Sequence, residues 1–255
     1  MGMSFFLGPN VALIVVLASF LVLGIVIFGV RTSAKTKFSI ISIFLALSIF
    51  MTIVSCSDWN SLKDSQNIYT SSTSGSLTFY DSLNGKDTNG WDTGYSNCQF
   101  NNGVYDVTSP TASEGYSYDE ECLNENTHFR NFAYQVRMKF IQGDQGCVIF
   151  RYIVSSSGTT TYDLFCIGSN GNYVFLKNNN DQIEGSSAAI NSGVGQINYV
   201  AIVAQGTKFT MFVNTKFVST VQDNTSAKEG LIGVGAISDQ NATKIAFSYA
   251  QVWRL

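Results

Sequence analysis

The 255 residues carry 15 Lys and Arg against 18 Asp and Glu, for a net charge of −3, with a single histidine. All 18 acids and 12 of the 15 bases lie beyond residue 56, so that part carries −6 and lacks the clustered basic charge that nucleic acid requires. One histidine, His128, excludes a histidine-based catalytic triad and a multi-histidine metal site.

Residues 11–30, VALIVVLASFLVLGIVIFGV, are apolar over the roughly 20 residues that a bilayer core demands. A second apolar run, FSIISIFLALSIFMTIVSC, covers residues 38–56. Neither shows a polar face, which predicts two membrane helices, about 10–30 and 38–56, rather than a buried hairpin of a soluble protein. The loop between them, RTSAKTK at 31–37, holds three positive charges and no acid, and so belongs on the cytoplasmic side. Both helix ends, and everything after them, are then expected outside the cytoplasm.

Cys56 supports two anchors. In one it closes the second helix of an uncut hairpin, the reading preferred here because residues 11–30 have no role in an ordinary lipoprotein signal. In the other, Ile53-Val54-Ser55-Cys56 resembles a bacterial lipobox, and Cys56 is lipidated and becomes the new N-terminus.

Residues 57–76, SDWNSLKDSQNIYTSSTSGS, are polar and low in complexity, and are expected to be a flexible tether. From residue 77 to 255 the pattern becomes that of β-strands. In FAYQVRMKF, Phe132, Tyr134, Val136, Met138 and Phe140 fall on one face, with Gln135, Arg137 and Lys139 on the other. CVIFRYIV and YDLFCIG flank the turn SSSGTT and read as a hairpin. Its symmetric register sets Arg151 opposite Tyr162 and Cys147 opposite Cys166. Further strands are expected at NYVFL, INYVAIVAQG, KFTMFVN, KFVSTV, LIGVGAIS and TKIAFSYAQVW, with no long amphipathic helix among them. About a dozen strands in this length predict an all-β, antiparallel sandwich or barrel.

Apart from Cys56 there are four cysteines, an even number in a compartment that permits disulfides. Four allow three pairings; the one preferred is Cys98–Cys122 with Cys147–Cys166, the latter resting on the hairpin register. Free buried thiols are the alternative.

The succession FYDSLNGKDTNGWD, CQFNNGVYDV, FAYQVRMKFIQGDQGCVIFRY, YDLFCIGSNGNYVF, GLIGVGA and a closing FSYAQVW resembles the concanavalin A-like jelly-roll domains, the laminin-G/lectin/glucanase superfold. The closest versions are those of bacterial surface proteins, and related domains are labelled 3-keto-disaccharide hydrolase-like. The resemblance covers residues 77–255 and implies two sheets packed face to face. It rests on strand and turn patterns, so it implies a fold rather than an activity.

Laminarinase-type glycosidases of this fold carry a Glu-x-Asp-x-Glu strand. Here the nearest match is SYDEEC, where Asp119 and Glu121 are two apart and the third acid is missing. A solvated acidic rim in a loop is the expectation, and the domain is expected not to be an enzyme. No metal or other cofactor is assigned, although Asp81, Asp87 and Asp92 in DSLNGKDTNGWD offer the ligand types that Ca2+ takes; turn formation explains the same residues. For a sugar, the candidate ligand-binding rings are Trp91, Tyr95, Tyr116 and Tyr118, in loops or at strand ends, whereas Trp253 is expected in the core.

The function expected from sequence is a membrane-anchored, lectin-like domain that binds a glycan, the cell wall or a protein partner without catalysis. A structural subunit of a membrane or surface complex is the second reading, with helix contacts through Ala18, Ser19, Gly24 and Gly29. A glycoside hydrolase is the third.

Overall fold

The computed structural model describes residues 63–85, 90–94, 97–112, 117–178 and 180–255. The two apolar runs, Cys56, Asp87, Tyr95 and Tyr116 lie outside these. Among the described residues no helix is long and apolar enough to cross a membrane.

Among the described residues fourteen strands form two antiparallel sheets. The eight-stranded sheet has the order β12 (Lys216–Gln222), β11 (Lys208–Val213), β10 (Ile197–Gln205), β5 (Phe132–Gln142), β14 (Thr243–Arg254), β3 (Val104–Ser109), β2 (Cys98–Asn101), and β1 (Leu77–Asp81) also pairs with β14. The six-stranded sheet runs β4 (Tyr118–Phe129), β13 (Gly230–Ser238), β6 (Gln145–Val154), β7 (Thr160–Gly168), β8 (Asn172–Lys177), β9 (Asn180–Ser186). The first and last of these strands therefore pair, and the sheets pack face to face as a jelly-roll-type sandwich.

The core between the sheets follows from alternation. Phe132, Tyr134, Val136, Met138 and Phe140 of β5 are all fully buried there, opposite Val148, Phe150, Phe165 and Val234. Phe150, Phe175 and Phe209 meet ring to ring at 5.5–6.1 Å. Both expected disulfides are present, Cys98–Cys122 and Cys147–Cys166. Cys147 and Cys166 are direct cross-strand partners on β6 and β7.

The hairpin register holds through Phe150 opposite Asp163 and then slips, so Arg151 does not face Tyr162. Arg151 takes a left-handed backbone (φ 53°), which makes a bulge and turns its side chain inward. It is 2% exposed, donates to the carbonyls of Arg130 and Gly206, and lies 4.7 Å over the Phe209 ring.

Three further expectations are corrected. Residues 63–72, within the segment expected as a tether, form a helix, α1. Ile68 and Tyr69 pack on the outward face of the eight-stranded sheet, beside Ala133, Val203, Phe212 and Trp253. The Tyr69 ring lies tilted 5.2 Å from that of Phe212 and its hydroxyl donates to Gln135 at 2.5 Å, while Gln66 donates to the Thr215 carbonyl at 2.6 Å. SYDEEC is not in a loop: its last five residues open the twelve-residue β4, whose polar run keeps strand pairing through the full length of β13. β9, NDQIEGS, has a single apolar residue and gave no strand signal, yet it pairs with β8.

Candidate functional site

The outward face of the six-stranded sheet carries one row of residues from each strand. Asp119, Ile237 and Gln145 are cross-strand neighbours, as are Glu121, Gly235, Cys147, Cys166, Val174 and Glu184 in the next row. The floor is apolar: Cys147, Ile149, Leu164, Cys166, Leu176 and Ile237 are each 8% exposed or less.

At one end of this face lies a cleft of about 640 Å³. Its polar lining includes Asp144, Gln145, Asn170, Asn172, Glu184 and Asp239. A shallower hollow of about 360 Å³ continues it towards Asp119, sharing Gln145, Val174, Glu184 and Asp239. Among the described residues the two hollows are lined by four carboxylates and no Lys or Arg.

The cleft wall is built by Asp144. One of its oxygens accepts the backbone N–H groups of Asp239, Gln240 and Asn241, each at 2.9 Å, and the other accepts the Asn241 amide at 3.0 Å. Burial alone would raise this carboxyl; the bonds from Asn241, Gln240 and Asp239 outweigh it and hold it below its ordinary value. Gly143 precedes it at φ 90°, where an added Cβ would lie 2.4 Å from the Thr243 Cα. Gln145 donates to Asp239 at 2.7 Å, which fixes an amide and a carboxylate side by side on the rim.

At the other end of the same face, Tyr152 and Tyr162 stack with centroids 5.5 Å apart and planes 19° off parallel. Both are partly exposed and pack on the apolar floor. The Tyr162 hydroxyl bonds to Glu121. Burial pushes the Glu121 carboxyl up to about 7, the bond from Tyr162 opposes this, and the charges of Asp119 and Glu120 add to it.

Asp119 and Glu121 thus share a face, as alternate strand positions must. Their settings differ. Asp119 is exposed and lines the hollow, whereas Glu121 Oε1 is buried without a partner. The next outward position is Leu123, so no third acid follows.

The predicted aromatic handles do not converge. Trp91 is 4% exposed and packs on Tyr105 at 5.5 Å, in the core. It is therefore not a sugar platform; the glycine- and asparagine-rich segment around it reads as a loop, but the ring is drawn in through a bridge to Asn124. Tyr118 is 46% exposed at the start of β4, immediately before Asp119. Tyr152 and Tyr162 were assigned only to the hairpin. No sequence signal pairs them, because strand parity sets Tyr152 on the face opposite Tyr162 until the bulge at Arg151 turns it outward.

Of the acids offered for Ca2+, Asp81 is 3% exposed and accepts the Leu83 N–H at 2.7 Å, and Asp92 accepts the Leu123 N–H at 2.9 Å. Among the described residues the group with metal-ligand spacing is Cys98, Glu120 and Cys122, and its sulfurs are bonded to each other.

No known protein family and no curated protein matches the sequence. Solved structures match the fold. A protein of unknown function with a galectin-like fold from Bacillus subtilis is similar at TM-score 0.54 and 11% identity, over 71% of this chain and 96% of that one. A β-1,3-1,4-glucanase (lichenase) from a mouse hindgut metagenome is similar at 0.51 and 15% identity, over 69% and 99%. A structure of endo-acting O-glycanases from the human gut microbiota is similar at 0.51 and 10% identity, over 71% and 100%. At these identities the likeness is one of fold, that of the concanavalin A-like sandwiches.

Proposed function

We propose that the chain is a membrane-anchored, extracytoplasmic lectin-like module that holds a glycan on the outward face of the six-stranded sheet and does not cleave it. The observation that carries this reading is the cleft: the carboxylates and amides of Asp144, Gln145, Asn170, Asn172, Glu184 and Asp239 converge on it beside Val174, the pattern with which a site orients a polyhydroxylated ligand. Its charge is one-sided, which favours neutral or amino-bearing sugars and repels uronic or sialic acids. Two of the structural relatives act on carbohydrate, as their names state. Against cleavage stands the acid pair, since one Glu121 oxygen is buried, the side chain is held by the Tyr162 hydroxyl, and the next alternate position of the strand is Leu123 rather than a third acid.

The anchor belongs to the same proposal. Two apolar runs flank a purely basic loop, and two disulfides suit an oxidising compartment. A Cys56→Ser variant separates the anchors: unchanged mass and membrane retention mark the uncut hairpin, and an accumulated precursor marks the lipoprotein.

The test is a glycan array probed with the full chain. Selective binding that falls at least tenfold in Glu184→Ala, with no reducing ends released from the bound glycan, is the expected result. Release of reducing ends that is abolished by Asp119→Asn establishes the hydrolase instead. One stoichiometric complex on native purification, without array binding, favours the structural subunit.

A further inference from the structure

The segment 223–229 carries the chain from β12, at one edge of the eight-stranded sheet, across to β13 in the six-stranded sheet. Its side chains close on β7 and β8. Asp223 accepts Lys177 Nζ at 2.9 Å, and it also accepts the Thr225 N–H at 2.7 Å and the Thr225 hydroxyl at 2.6 Å. The Ser226 oxygen lies 2.9 Å from Asp223 Oδ2 and 2.9 Å from Asp163 Oδ1 of β7. A hydroxyl has a single hydrogen, so it cannot donate to both carboxylates at once. One of the two acids must bring a proton of its own.

Asp223 is the anion. Burial would raise its carboxyl, but the bonds from Thr225, Lys177 and Ser226 outweigh burial and hold it well below the ordinary carboxylate range. Asp163 is the acid. It is 1% exposed, and its Oδ2 is buried with no partner among the described residues. The charged groups that face it are Lys177 of β8, Arg151 of β6 and Asp223. Lys177 is bonded to Asp223. Arg151 donates to the Arg130 and Gly206 carbonyls, and its Nε is itself without a partner among the described residues, so that atom does not reach Asp163. A buried carboxyl with an unpaired oxygen costs much as an anion and little as an acid. We infer that Asp163 is protonated in the folded protein and donates to Ser226, which donates in turn to Asp223, and that this chain of bonds latches the segment 223–229 onto β7. Burial pushes the Asp163 carboxyl from 3.8 up to about 6, against the bond from Ser226 and the charges of Lys177 and Arg151. The latch is therefore fully closed below about pH 4 and loosens as pH rises through 6. Once the proton is gone, two anions face one hydroxyl hydrogen, and the hold of the segment on β7 weakens.

The experiment is amide hydrogen exchange on the full chain from pH 5 to 8, corrected for the intrinsic pH dependence of exchange. Protection of the amides in 224–229 should fall about tenfold per pH unit above 6, and low concentrations of urea should leave it unchanged. It should stay level in Asp163→Asn, whose amide keeps a donor for Ser226 at every pH. Independently of any unfolding, the infrared spectrum at pH 5 should hold a protonated-carboxyl band that Asp163→Asn lacks. Level protection in the wild type, or the same fall in Asp163→Asn, overturns the inference. So does exchange of 224–229 only together with the β5 amides and with their urea dependence, because the segment then opens with the whole fold and has no latch of its own.

Discussion

Asp163 should make the domain lose stability as pH rises through the weakly acidic range. It lies on the core side of β7 and is 1% exposed. Burial raises its carboxyl to about 6, against the bond from Ser226 and the charges of Lys177 and Arg151, with Asp223 adding to the rise. The ordinary value is 3.8. A folded pKa above the unfolded one means that the folded state binds the proton more tightly. The contribution is therefore complete below about pH 4 and is lost as pH rises through 6. A gap of about two pH units corresponds to about 3 kcal/mol. Asp163→Asn removes the titration. It also removes the Arg151 attraction and weakens the Ser226 contact at 2.9 Å, but that cost is a nearly constant offset above pH 6. The assay is urea unfolding followed by tryptophan fluorescence from pH 4 to 8. Wild type should lose about 3 kcal/mol more than Asp163→Asn across that range. Parallel curves for the two proteins refute the reasoning. Glu121→Gln should flatten the curve further and independently, because Glu121 stands on the opposite face of the sheet.

Gly143→Ala should destabilise by about 3 kcal/mol or more in the same denaturation assay, because the new methyl meets the Thr243 backbone in a left-handed conformation. Asp144→Ala should cost about 2 kcal/mol and speed amide exchange at Asp239, Gln240 and Asn241, which lose their acceptor. The stabilising effect of the Asp144 carboxylate is present at neutral pH and is lost as pH falls below the ordinary carboxylate range, opposite in sign to Asp163. Tyr69→Ala should cost about 2 kcal/mol, read by thermal unfolding, whereas Tyr80→Ala on the exposed side of β1 should cost less than 1 kcal/mol.

Much of the sandwich was legible because period-two alternation is enforced by burial. In β5 every second residue from Phe132 to Phe140 is fully buried, and Arg137 and Lys139 lie on the other face. The same parity placed Cys147 across from Cys166. Where a local backbone change breaks the parity, the reading breaks with it. Arg151 looked like an outward charge in a strand, and only its left-handed φ sends it inward onto Phe209. β4 and β9 were missed for a different reason. Their partners supply the ladder, so YDEECLNENTHF and NDQIEGS need no apolar period of their own.

The site was harder to read than the fold, and the reason is geometric. Asp119 and Glu121 were found because they are two residues apart on one strand. The cleft instead joins Asp144, Asn170, Glu184 and Asp239, which come from four separate hairpin turns or strand ends, and nothing in their local sequence relates them. The same holds for α1. KDSQNIYTSS has two adjacent apolar residues and no helical period, so nothing local distinguishes it from a tether. Its helix exists because Ile68 and Tyr69 cover Phe212 and Trp253, two aromatic residues that a bare sheet would leave open to water. The folding unit therefore begins before residue 77, at α1. A chain cut at residue 73 should expose the Phe212 and Trp253 rings, and a length of chain that looks dispensable in sequence is part of what keeps the outward face of the eight-stranded sheet dry.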